Sequence, residues 1–125
     1  MKLLLDTHTY IWWLAEPSRL TQEARAAIAN PRNFVFVSAA SVIEIAIKQA
    51  NGELEASEPL ENLLKACRFV ELPLKVAHAS ALRELPPVHR DPFDRMLAAQ
   101  ARVEGMTLVS RDPVMKQYDV PVIAA

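Results

Sequence analysis

Apolar residues along this chain fall into short solid runs separated by longer stretches with helical spacing. Lys2–Asp6 (KLLLD) and Phe34–Val37 (FVFV) are the clearest runs. Each is too short for a helix and reads as a strand buried on both faces. Phe69–Leu72, Met106–Ser110 and Val120–Ile123 repeat the pattern. Between them the spacing predicts helices over Thr7–Leu14, Thr21–Ala29, Ala39–Ala50, Pro59–Cys67, Lys75–Leu85 and Pro92–Glu104, with a short one over Pro113–Gln117. The punctuation agrees. Thr21 or Ser18 opens the second helix and Ser38 caps the third, while Asn51-Gly52 ends it. Pro86-Pro87 stops the helix before it, and Gly105 follows the last long one. Strands alternating with helices predict an α/β fold whose parallel sheet is covered on both faces.

Length and composition narrow this further. A chain of 125 residues with 51% apolar and 23% charged residues is about one globular domain. No apolar run approaches the ~18 residues of a membrane span. A single cysteine forms no internal disulfide, and the expected setting is the cytoplasm. Cys67 lies among helix-spaced residues and reads as a small packed hydrophobe. The net charge of −1 provides no global attraction for nucleic acid, so such binding requires a local basic patch. Glu53–Glu61, with four glutamates in nine residues, reads as a solvated loop and helix start. Two isolated glycines build neither a dinucleotide fingerprint nor a P-loop, and no G-x-S-x-G elbow is present. His8, His78 and His89 lack close metal-ligand spacing and read as surface or capping residues.

Chemistry concentrates in the acids. Ligands of a doubly wound sheet sit beyond the carboxyl ends of its strands. Asp6 ends the first strand, and Asp112 follows the strand Met106–Ser110. Asp91 and Asp94 open the helix Pro92–Glu104, and Glu44 lies early in the helix after FVFV. All of these can face one crevice. Asp6, Asp91 and Asp112 also read as helix caps, and Asp94 as a first-turn acid. Glu44 is flanked by Val42, Ile43, Ile45, Ala46 and Ile47, so burial is expected, with Lys48 four residues on as an ion-pair partner. Two unit charges at ~4 Å repel by about 4 kcal/mol at an effective dielectric of 20, so convergent carboxylates call for a cation. Oxygen donors alone suit Mg²⁺ or Mn²⁺. Arg90, Arg95 and Arg111 flank the same acids and read either as solvated charges or as contacts to a phosphate backbone.

Four stretches, LLLDTHTYIWWL, VSAASVIEIAIK, HRDPFDRMLAAQA and TLVSRDPVMKQY, span nearly the whole chain. In this order they resemble the PIN-domain ribonucleases, and among them the VapC-type toxins of toxin–antitoxin pairs. The resemblance implies one PIN domain over residues 1–125, a three-layer sandwich with strand order 3-2-1-4-5. It implies a metal-dependent endoribonuclease with Asp6, Glu44, Asp94 and Asp112 as catalytic metal ligands for Mg²⁺ (Mn²⁺ as alternative). Thr7, Asp91 and Ser110 would support those ligands, and Arg90, Arg95 and Arg111 would meet RNA. It also implies a homodimer silenced by a cognate antitoxin in a groove beside the site. Trp12 and Trp13, pointing about 100° apart, divide between the core and either solvent or that groove. The segment NGELEAS departs from a more basic stretch common in relatives.

Three rivals remain. A haloacid-dehalogenase-type Mg-dependent phosphatase would need a second acid where His8 stands. A receiver domain would need an aspartate closing the third strand, where Phe69–Leu72 offers only Glu71. A catalytically weak PIN-like nucleic-acid or protein-binding module would keep the fold without strong turnover.

Overall fold

The computed structural model describes residues 1–55 and 58–125. Five strands form one parallel sheet: β1 (Lys2–Leu5), β2 (Phe34–Ser38), β3 (Val70–Leu72), β4 (Thr107–Ser110) and β5 (Val122–Ala124), in the order β3-β2-β1-β4-β5. Six α-helices connect them: α1 (Thr7–Ala15), α2 (Gln22–Ala29), α3 (Ala39–Ala50), α4 (Leu60–Cys67), α5 (Val76–Glu84) and α6 (Pro92–Glu104). A 3-10 turn, Pro113–Tyr118, links β4 to β5, and a second one at Pro17–Arg19 was not foreshadowed by the apolar pattern. The fold is the expected α/β sandwich with sheet order 3-2-1-4-5.

Side-chain alternation divides the core into two layers. Leu3, Leu5, Val35, Val37 and Val109 point to one face, where Tyr10, Ala24, Ile28, Ile45 and Leu64 from α1–α4, with Leu20 between α1 and α2, cover them. Leu4 and Leu108 point to the other, against Leu72, Leu85, Leu97, Met115 and Tyr118. Chain direction explains the division. The β1–β2 and β2–β3 crossovers travel one way across the sheet, and β3–β4 travels back. Right-handed crossovers then put their helices on opposite faces. The reversal point lies between β1 and β4, where Leu5 sits opposite Val109. A parallel α/β sheet has its ligand crevice at such a point.

Element boundaries follow local chemistry. Pro59 stands outside α4 as its N-cap residue rather than inside it. Arg68 takes a left-handed conformation (φ 59°) that ends α4 and delays β3 to Val70. Asp119 (φ 57°) closes the 3-10 turn Pro113–Tyr118. The acidic loop expected over Glu53–Glu61, which NGELEAS overlaps from Asn51 on, is described except for residues 56 and 57, which lie outside the described residues. No helix among the described residues is long and apolar enough to cross a membrane.

Gly105 ends α6 at φ 66°, and its N–H bonds to the Ala101 carbonyl. A Cβ there would meet no atom within 4 Å, so the obstacle to a side chain is backbone strain alone. Gly105→Ala is expected to destabilise the fold by about 1–2 kcal/mol, the left-handed penalty of an L-residue, with activity unchanged. Equilibrium urea unfolding checks this.

Candidate metal centre

Each acid of the crevice is fixed by the backbone that carries it. Asp6 leaves β1 as its N–H bonds to the Val109 carbonyl at 3.1 Å, then caps α1 by accepting the Thr9 N–H on Oδ1 at 2.8 Å. It is 6% exposed. Asp112 repeats the arrangement after β4. Its Oδ1 accepts from Val114 N at 3.0 Å, and its own N–H donates to Ser110 Oγ at 3.2 Å. Asp91 caps α6 through the Phe93 N–H at 2.9 Å, and Asp94 stands in the first turn of that helix. Glu44 is buried on α3, as its apolar neighbours required. In each cap one carboxylate oxygen is bound to the backbone and the other stays free for further contacts. Capping and ligand binding are therefore compatible readings of the same side chain.

Burial, followed by the charges of Asp91, Asp6 and Glu44, pushes the Asp94 carboxyl up to about 7, against an opposing contribution from His89. Asp91 and Asp94 at α6, Asp6 after β1 and Glu44 on α3 thus contribute to one negative field. Lys48 offsets part of it, with Nζ 3.2 Å from Glu44 Oε2. The pair expected along α3 forms, yet Glu44 still acts on Asp94.

His89 is the residue that the sequence reading misplaced. It was expected at the surface or as a cap. Instead its Nε2 lies 2.7 Å from Asp112 Oδ2 and 3.0 Å from Asp94 Oδ2. His89, Asp94 and Asp112 offer atoms within 4.8 Å of one another, a spacing that suits a cation. Spacing between histidines does not detect such a group, because its other two members are carboxylates. The H-x-D-x-x-D run at residues 89–94 was the available signal. His78 caps the start of α5, as expected, by accepting the Lys75 N–H, but it is buried rather than at the surface and meets Glu104 at 2.8 Å. His8 is exposed, as expected.

The remaining candidates sort by what they touch. Thr7 Oγ1 donates to Ser41 Oγ at 3.0 Å and ties α1 to α3. Ser110 supports the Asp112 turn, as above. Arg95 turns away from the crevice. Its guanidinium donates to the carbonyls of Pro86 at 2.9 Å, Leu82 at 3.4 Å and Leu85 at 3.5 Å, closing the end of α5. Arg111 donates to the carbonyls of Ala125 and Arg19 and lies 4.3 Å from the Trp12 ring centroid. These contacts anchor both guanidiniums on backbone carbonyls and leave each with further N–H groups, since a guanidinium carries five. Arg90 is exposed and has no hydrogen-bond or ion-pair partner among the described residues. Trp12 and Trp13 do not divide between core and solvent. Both are half-buried against the α1–α4 layer, Trp13 toward Phe69 and Trp12 toward Arg19 and Arg111. Burial pushes the half-buried Cys67 thiol up, consistent with packing rather than nucleophilic chemistry.

The PIN domain family model matches residues 3–121. The chain belongs to the PIN-domain family. It is 32% identical over 123 residues to "Ribonuclease VapC22" of Mycobacterium tuberculosis (strain ATCC 25618 / H37Rv), covering 95% of this chain and 93% of that relative. Among solved structures, VapBC2 from Rickettsia felis bound to a promoter DNA fragment aligns with a TM-score of 0.76 at 14% identity, over 99% of this chain and 98% of that one. FitAcB from Neisseria gonorrhoeae aligns with a TM-score of 0.63 at 23% identity, over 97% and 96%. At these identities the structural likeness bears on the fold. Within the PIN frame, the crevice between β1 and β4 is the acidic edge of the sheet. Its oxygen donors and negative charge fit a hard divalent cation.

Proposed function

We infer that this PIN-domain protein is a divalent-metal-dependent endoribonuclease, acting in the cytoplasm as the toxin of a toxin–antitoxin pair. The observation that carries the reading is the acidic crevice beyond the ends of β1 and β4, where Asp94 and Asp112 offer atoms within 4.8 Å of each other and of His89 and Asp6 caps the helix that leaves β1. The identity to a curated VapC ribonuclease supports it. Asp6, Glu44, Asp94 and Asp112 would hold the ion, with Mg²⁺ preferred and Mn²⁺ admissible for an oxygen donor set. A bound divalent ion there would supply charge neutralisation and polarisation of a phosphodiester oxygen.

The chain's own residues account for the rest. The backbone caps on Asp6 and Asp112 hold those carboxylates in place before substrate arrives, so little reorganisation is required at the moment of reaction. Burial and the neighbouring acids raise the Asp94 carboxyl to about 7, so a cation held there would compete with a proton, and metal affinity is expected to strengthen as pH rises through that value. Arg90, exposed two residues before the α6 cap's helix begins, offers positive charge to the RNA backbone. No side chain in the crevice is assigned as a separate general base.

The partners follow the same reading. A cavity of about 430 Å³ opens beside α1 and α3, lined by Ile11, Leu14, Ile45, Leu54 and Leu63 with Glu55 and Glu58 at its rim. It supports docking of an antitoxin segment. Ile43 and Ile47, one turn apart on α3 and each nearly half exposed, supply an apolar face for a homodimer.

The test is cleavage of total RNA by the purified protein. Cleavage is expected with Mg²⁺ or Mn²⁺ and not with chelator. Asp6→Asn and Glu44→Gln are expected to slow it by at least ~100-fold, beyond what losing an outer partner of a metal ligand costs. Undiminished cleavage by both variants, or none by the parent with any divalent ion, refutes the reading. A binding module would gain little thermal stability from the metal, which separates that alternative.

A further inference from the structure

Within the proposed metal site, and resting on that reading, one residue has its chemistry fixed from the side away from the acids. The His89 ring has two nitrogens with different neighbours. The Asp91 backbone N–H donates to Nδ1 at 3.1 Å. A nitrogen that accepts cannot also carry a proton. The proton of the neutral ring therefore sits on Nε2, the nitrogen 2.7 Å from Asp112 Oδ2 and 3.0 Å from Asp94 Oδ2. Metal-binding imidazole needs a bare nitrogen facing the ion and places its proton on the other one. Here the arrangement is reversed. The bare nitrogen faces the protein backbone, and an N–H faces the carboxylates.

We propose that His89 is a positioning residue of the metal site. Its Nε2–H draws Asp94 and Asp112 toward one point without ligating the ion. A carboxylate has about four lone-pair sites. Asp112 uses one for Val114 N and one for His89, and the others remain for a cation. Asp94 and Asp112 are carried by different elements, α6 and the turn after β4, so nothing local holds them together. The His89 ring, in the loop before α6, joins them. The same arrangement recurs at His78, whose Nδ1 accepts the Lys75 N–H while Nε2 meets Glu104. In this chain the pattern is thus a way of aiming an N–H at a carboxylate. One consequence is selectivity. With no nitrogen available, the site offers only oxygen and favours hard ions over Zn²⁺.

Two measurements on the full-length protein test this, and neither depends on turnover. Long-range ¹H–¹⁵N NMR of the metal-free protein at pH 8 reports the tautomer. A proton on Nε2 is expected, and one on Nδ1 overturns the proposal. Mn²⁺ binding by electron paramagnetic resonance then compares His89→Ala, His89→Gln and Asp94→Asn with the parent, each shown to be folded by circular dichroism. His89→Ala is expected to weaken binding by about 10–100-fold, the usual effect of losing a partner of a metal ligand. His89→Gln, whose side-chain amide places an N–H near the Nε2 position, is expected to recover most of that loss. Directly coordinated imidazole nitrogen on the bound Mn²⁺ overturns the proposal, as does Mn²⁺ binding in His89→Ala at or above parental strength. If Asp94→Asn loses Mn²⁺ while His89→Ala does not, the positioning role fails and the acidic site stands. If Asp94→Asn binds Mn²⁺ like the parent, the acidic site fails and the role of His89 with it.

Discussion

Asp94→Asn is expected to stabilise the metal-free protein at pH 8 while abolishing RNA cleavage. The two effects share one cause. Burial and the surrounding acids raise the Asp94 carboxyl to about 7, far above the 3.8 of a free aspartate. Between those two values the folded protein holds a proton that the unfolded chain has released. Its stability therefore falls as pH rises from about 4 to 7, and the charged carboxylate remains a liability above that range. An asparagine fills the same space without the charge. Discounted for the screening of a partly exposed group, the relief is ~1–2 kcal/mol, roughly 5–10 °C in Tm for a domain of this size. Thermal melts from pH 4 to 8 check it. The parent should lose stability across the range, and the variant should be flatter. Mg²⁺ or Mn²⁺ should raise the parent's Tm at pH 8 and leave the variant's nearly unmoved, since only a cation that binds the folded state shifts the equilibrium. If the variant melts below the parent at pH 8 without metal, the account of a charge-strained site is wrong.

Leu97→Ala is expected to give the largest loss of stability. Leu97 is fully buried on α6, one turn after Asp94, in the layer shared with Leu4 and Leu108 of the central strands. Large-to-small substitution at such a position costs about 2–5 kcal/mol, because the removed contacts are compounded by an unfilled cavity. The loss reaches function through geometry. This layer holds α6 against the sheet, and α6 carries both Asp91 and Asp94. Metal affinity is therefore expected to fall along with stability, even at temperatures where the variant remains folded. Leu97→Met, which conserves volume, should cost less than about 1.5 kcal/mol and keep the affinity. Chemical denaturation with parallel Mn²⁺ titrations tests both. Unchanged metal affinity in folded Leu97→Ala would show that the position of α6 does not depend on this packing.

Much of the candidate site was legible because capping is local. An acid just before a helix is visible in a few residues, and parallel α/β sheets begin their helices at one edge. Asp6, Asp91, Asp94 and Asp112 could be placed on that edge without coordinates. Glu44 followed from its apolar neighbours, which leave a helix little polar face. The anchoring of Arg95 and Arg111 was not legible because an exposed cation and one bonded to backbone carbonyls look alike in a sequence. Arg95 finds its partners at the end of α5 and Arg111 at Ala125 and Arg19. Such contacts depend on how segments return past each other. His89 was missed for the same reason, since its two carboxylate neighbours come from separate elements.

The sequence by itself determined the strands and helices, their alternation, and the edge of the sheet on which the acids gather. Those features rest on periodicity, capping and proline or glycine stops, whose physics acts over a few residues. The tertiary structure alone decided that Asp94 shares one field with Asp6 and Glu44, that Lys48 stays within it, and that His89 aims a proton at two carboxylates. These depend on the register of β1 against β4 and on the packing of α6. Both are set by contacts between residues about 100 positions apart, such as Leu5 with Val109, which no local pattern encodes.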